Sequence, residues 1–362
     1  MPPRIRARAA SGTVPDMRWR AAACGLMLLA GLSAQAKSPR QDIVPLALTA
    51  KAVALDERRS SRARVGALRY MGGLHVTADS ALFGGLSGLA LSADGGTLIA
   101  VADTGYWFIA DLIEDEKGWL VGLRNAVMAD LLRPDGLAPQ GRAQSDAEAL
   151  VLDDQHGLAY VAFENRHRVW AYAYDPARNM RQLLRTPATP VDIAGALAGQ
   201  PGNGGVETLF WIENIGLLGI SEELGDTVVG RVGWRLVPGP PFAFRYGAPL
   251  PYVPTDAAVL PDGRVLILNR RAGWLSGFAA KLLIADIPAL APGGVVTGQL
   301  VARLGAPLIA DNFEGVAARR DDAGRTVIYL ISDDNFNPLQ RTLLLKFMLD
   351  EAAMARAGAA LR

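Results

Sequence analysis

The sequence predicts an all-β protein, a β-propeller of five or six four-stranded blades. Three observations predict it. An internal repeat recurs five times, nearly every copy carries a glycine at its turn, and the composition is apolar with 39 glycines and 22 prolines. At 362 residues the chain fits a closed all-β architecture as one domain.

Residues 1–36 precede the repeat. From Met17 a basic Arg18-Trp19-Arg20 leads into an apolar run from Ala21 to Leu32 and then Ala34-Gln35-Ala36. That order is an export leader with a small-residue cleavage site after Ala36, preceded by an N-terminal extension in which Met17 can be the working start. The apolar run is too short for a bilayer span, which needs about 20 residues. The expected location is periplasmic or secreted. Cys24, the single cysteine, falls inside the leader, so no disulfide, thiol nucleophile or cysteine metal site is expected after it. Cleavage takes away five arginines and Asp16, leaving 32 basic against 35 acidic residues. That faint acidity argues against nucleic acid or an anionic membrane as partner.

The propeller is expected over 37–348. Its repeats are 84–105, 145–165, 204–223, 255–271 and 312–335, with heads about 50–60 residues apart, enough for a four-stranded blade. Each has a polar head, an apolar strand, a turn, a second apolar strand and a polar tail. Asp94-Gly95, His156-Gly157, Asp262-Gly263 and Ala323-Gly324 supply the turns, and the third repeat uses Asn214 and Gly216. Strand-like text at Arg64–Tyr70 supplies an outer strand closing the ring beside the last repeat, or part of a sixth blade. Residues 349–362 form an Ala-rich tail, helical or frayed.

In a hairpin the start of the first strand and the end of the second share one end. Heads and tails are therefore neighbours: Ser87 with Asp103, Asp146 and Glu148 with Glu164, Glu207 with Glu222 and Glu223. Asp256 likewise meets Asn269, Arg270 and Arg271, and Asn312 and Glu314 meet Asp333, Asp334 and Asn335. If each hairpin holds the inner strands of its blade, all of these ring one mouth of the central channel. Crowded carboxylates raise one another's pKa until a cation neutralises them. An all-oxygen set of Asp103, Asp146, Glu164, Asp256, Asp333 and Asp334 points to Ca²⁺. Arg270 and Arg271 break the acidic pattern and either bind an anion or neutralise neighbours. No G-x-S-x-G elbow, P-loop or H-E-x-x-H occurs, and three histidines leave little material for a histidine site.

The ordered set Ser87-Gly88-Leu89, Asp146-Ala147-Glu148-Ala149-Leu150, Gly205-Val206-Glu207-Thr208-Leu209, Asn312-Phe313-Glu314-Gly315 and Ser332-Asp333-Asp334-Asn335-Phe336 resembles the phytase-like, esterase-like propeller family. The resemblance covers about residues 65–348. It implies a hydrolase of phosphate or other small-molecule esters, with Ca²⁺ by analogy to propeller phytases. Glu148, Glu207 and Glu314 are the expected catalytic residues, and Arg270, Arg271, Asn312 and Asn335 the expected substrate contacts. Where that family more often has a small residue, glycine above all, after the glutamates of the second and third heads, this chain has Ala149 and Thr208. A monomer is expected. The alternatives are a non-catalytic binding propeller and a lactonase-like metal propeller.

Overall fold

A computed structural model describes residues 43–226, 230–273 and 277–359. The expected extension and leader at 1–36 lie outside them. Five antiparallel sheets form five blades, so the alternative of six is set aside.

From the inside outward, blade 1 comprises Leu86–Leu91, Thr97–Ala102, Tyr106–Glu114 and Leu120–Asp130. Blade 2 comprises Ala147–Asp153, Leu158–Phe163, Arg168–Ala173 and Thr189–Pro190. Blade 3 runs through Val206–Ile212, Gly216–Asp226, Gly230–Val237 and Phe242–Tyr246, with Val295–Val296 added in parallel at its edge. Blade 4 is Val253–Val259, Val265–Gly273, Gly277–Ala285 and Gln299–Leu304.

Blade 5 takes its inner three strands, Asn312–Arg320, Thr326–Asp333 and Thr342–Leu349, from the end of the chain. Its outer two, Leu68–Ala78 and Leu48–Ala52, come from the beginning. The segment around Arg64–Tyr70 thus closes the ring. Just upstream, Val44–Pro45 pairs with Leu120–Asp130 of blade 1, so the first described strands fasten both sides of the closure.

The second strand of each blade shows why the sheets stack in a ring. Side chains on a strand alternate between faces, and a blade between two neighbours buries both. In blade 4, Leu266 and Leu268 pack toward blade 5 while Val265 and Ile267 pack toward blade 3, all four at 0% exposure. In blade 1, Leu98 and Ala100 face blade 5 and Ile99 and Val101 face blade 2. Five apolar clusters result, one at each blade interface.

The expected turns form with left-handed backbone at Gly95, Gly157, Gly263 and Gly324, and at Asn214 and Gly216 in blade 3. The Ala-rich tail is a helix, Glu351–Ala359, started by Asp350, whose Oδ1 accepts from the Ala353 amide at 2.9 Å. Its Met354 is buried between blades 4 and 5. Among the described residues no helix is long and apolar enough to cross a membrane.

Candidate functional site at the channel mouth

Each inner strand is interrupted near its start by one extra residue. The register with the second strand shifts at Gly88, Glu148, Glu207, Thr255 and Glu314 in blades 1 to 5. Such a β-bulge leaves one residue unpaired and bends the strand, re-aiming its side chain. Three of the five equivalent positions carry glutamate. All three glutamates line one cavity of about 280 Å³, joined by Ser87, Asn312 and Asn335.

The hairpin tails reach the same cavity through Asp103, Glu164, Glu222, Glu223, Arg270 and Asp333. Arg270 stands among the acids. Its Nη1 donates to Asn312 Oδ1 and its Nη2 to Glu222 Oε1, each at 2.8 Å, and its Nε lies 3.2 Å from Glu314 Oε1. Glu207 Oε2 is 3.9 Å away. Asn312 Nδ2 in turn donates to Glu314 Oε1 at 2.8 Å. Of the two roles open to Arg270, the geometry therefore supports neutralisation.

On the side of blades 1 and 2 the acids gather differently. Asp146, Glu148 and Glu164 each present a carboxylate oxygen within 4.8 Å of the others. Ser87 Oγ lies 3.3 Å from Glu148 Oε2, the Gly205 amide donates to Glu164 Oε1, and Asp146 accepts from Asn165 Nδ2 and, at 3.2 Å, from Arg142 Nε. Oxygens sharing one Ca²⁺ at roughly 2.3–2.6 Å are separated by at most about 5 Å. The three carboxylates therefore fit a hard divalent cation, with its remaining positions left to water or substrate.

Burial dominates the proton affinities, and like charge adds to it. Glu148 is pushed well above the usual carboxyl range by burial and then by Glu164, Asp146 and Asp103. Burial lifts Glu164 and Asp333 to about 7 and Asp103 to about 6. Glu207 rises through burial and Glu222, and Glu314 through burial and Asp333, with Arg270 opposing both rises. Burial alone would lower Arg270, but Glu314, Glu207 and Glu222 outweigh it and keep it charged. Carboxyl groups that titrate near neutrality can take and return protons at working pH.

Three of the expected site residues lie elsewhere. Asp256, one residue past the bulge of blade 4, is fully buried, and its carboxylate accepts three backbone amides: Ala257 at 2.8 Å, Val316 at 2.7 Å and Leu89 at 3.3 Å. Those donors consume its lone pairs in tying blades 4, 5 and 1. Asp334 holds the blade 5 tail, accepting from Thr342 Oγ1 at 3.1 Å and the amides of Phe336 and Gly85. Arg271 turns outward into a neighbouring cavity and stands 5.6 Å from the Tyr252 ring centroid.

The lining also includes Arg142 and Asn203, which sequence reasoning did not single out. Arg142 opens a single helical turn, Arg142–Ser145, that leads into the second head. Its place after Gly141 and four residues before Asp146 was the available signal.

No curated protein matches the sequence. Solved structures match it at low identity. A protein of unknown function from Dyadobacter fermentans is 14% identical over 85% of this chain and 95% of its own, with a TM-score of 0.41. A gluconolactonase from Xanthomonas campestris is 14% identical over 86% and 99%, with a TM-score of 0.37. A functionally unknown protein from Desulfotomaculum acetoxidans is 12% identical over 72% and 70%, with a TM-score of 0.32. The family described as "Esterase-like activity of phytase" matches residues 81–336, which hold every bulge and every lining residue of the mouth described above. The chain therefore belongs to this phytase-like family.

Proposed function

We propose that the protein is an exported hydrolase of phosphate or other small-molecule esters, acting at the acidic mouth of the channel. The observation that carries this reading is the convergence of three bulge glutamates on one cavity beside a carboxylate trio suited to a divalent cation. Export rests on the leader-like segment from Met17 to Ala36.

A Ca²⁺ held by Asp146, Glu148 and Glu164 would supply Lewis-acid polarisation and a lowered water pKa. The chain's own residues do the rest. Glu148 sits at the junction of the trio and the cavity, where its carboxyl takes a proton from the attacking water and returns it to the leaving oxygen. Ser87, Asn312 and Asn335 offer neutral hydrogen-bonding groups to orient the ester. Arg270 keeps Glu207 and Glu314 in place and offsets their charge.

Turnover of chromogenic phosphate and acyl esters by the wild type and by Glu148→Gln, Glu207→Gln and Glu314→Gln tests the reading. The Glu148 variant should lose about 100-fold or more. Activity unchanged in all three variants sinks it. The engagement of Arg270 by Glu207, Glu222 and Glu314 favours one rival, a binding propeller whose glutamates are structural. That rival expects cation-dependent melting without turnover of any ester.

A further inference from the structure

We propose that the ester accepted at this mouth carries a positively charged amine or ammonium group, held between the acidic lining and the ring of Phe336. The proposal rests on the hydrolase reading and narrows its substrate class.

The first support is the charge of the cavity. Eight carboxyl groups line it against two guanidinium groups. Arg270 donates to Asn312 and Glu222 and stands 3.2 Å from Glu314, and Arg142 pairs with Asp146 at the rim. A phosphate dianion entering here meets carboxyl groups on nearly every side, with both guanidinium groups already engaged by them. A cationic substrate meets acceptor oxygens throughout the same lining and favours their ionised form.

The second support is an aromatic wall. A cavity of about 380 Å³ adjoins the mouth, shares Asp103 and Arg142 with it, and is walled by Phe336 and Pro139. Phe336 is 47% exposed although it is apolar. Its backbone is left-handed, with φ +50° directly after Asn335 at +48°, which is rare for a bulky side chain and marks a conformation enforced by its surroundings. Asp334 enforces it by accepting the Phe336 amide at 3.1 Å. Gly84 and Gly85 make room, since a Cβ on either would come within 2.9 Å of the ring. The Cβ on Gly85 would also strike Asp103, so ring and carboxylate flank one glycine. Asp103 Oδ1 is buried there without a hydrogen-bond partner. A carboxylate beside an aromatic ring is the pairing that recognises an ammonium group, through charge and through the ring quadrupole.

The test uses the full chain in Ca²⁺ buffer, with choline and its uncharged isostere 3,3-dimethylbutan-1-ol titrated by calorimetry. Turnover of acetylcholine and 3,3-dimethylbutyl acetate is followed in parallel. Choline should bind about tenfold or more tightly than the isostere, and Phe336→Ala should remove most of that difference while Phe336→Trp keeps it. Choline preference without turnover of either ester keeps the ligand class and ends the hydrolase reading. Equal binding, binding of neither probe, a preference for the isostere, or a choline preference untouched in Phe336→Ala overturns the proposal whatever the turnover.

Discussion

Replacing Asp256 by alanine asks whether one buried carboxylate holds three blades together. Its Oδ2 takes the amides of Val316 and Leu89, and its Oδ1 takes that of Ala257. The alanine variant orphans all three, at about 1–3 kcal/mol for each buried donor left unpaired. Against that, removing a buried carboxylate recovers several kcal/mol of desolvation, by an order-of-magnitude figure. The balance is a loss of roughly 3 kcal/mol, or about 6 °C in Tm at about 2 °C per kcal/mol for a chain of this size. Asparagine keeps one acceptor oxygen but turns an NH₂ toward a donor, so its loss should be about 1–2 kcal/mol. Urea unfolding gives the answer, provided the m value is unchanged between variants. An alanine variant within about 1 kcal/mol of wild type, or an asparagine variant less stable than alanine, refutes the hub role.

Arg270→Met removes the guanidinium that opposes the raised pKa of Glu207 and Glu314. Its urea midpoint should fall further below wild type at pH 8 than at pH 5, and a gap equal at both pH values would contradict this. Glu164 and Asp333 have folded values near 7, above their unfolded values, so the stability they lend is present below about pH 4 and is lost as pH rises to 7. Ca²⁺, which favours the ionised forms, should therefore raise Tm over a chelated sample more at pH 8 than at pH 5, and no shift at either pH argues against a metal. Away from the mouth, buried Lys346 meets Glu114 Oε2 at 2.6 Å and the Gly118 carbonyl at 2.8 Å, while Glu114 also accepts from Tyr329 and Arg319. Lys346→Met should cost about 3 kcal/mol, and adding Glu114→Gln should couple by about 1 kcal/mol or more, whereas strict additivity in denaturation would refute the buried pair.

Much of this was legible in the residues because hairpins obey simple rules. Glycine turns and the shared end of heads and tails placed Glu148, Glu207, Glu314, Glu164 and Asp333 at one mouth without any tertiary information. The bulges were not legible, since an extra residue on one strand is defined only by its partner. That is why Asp256 reads as a head residue of the mouth, while Thr255 holds the place of the glutamates and Asp256 points into the blade contacts. Arg270 and Arg271 are adjacent in sequence, yet strand alternation leaves only Arg270 in the lining of the acidic cavity, while Arg271 lines the neighbouring one. Arg142 escaped notice because the loop carrying it lies outside the repeat.

The closure of blade 5 has a consequence for how the chain is made. Leu68–Ala78 emerges early and finds its inner partner only when Thr342–Leu349 follows some 270 residues later. Until then the inner edge of Leu68–Ala78 presents unpaired backbone, an invitation to join another copy. Contacts of such sequence separation form slowly. A chain broken before residue 342 would keep four complete blades and still have no ring, so the last strand acts as the latch of the whole molecule.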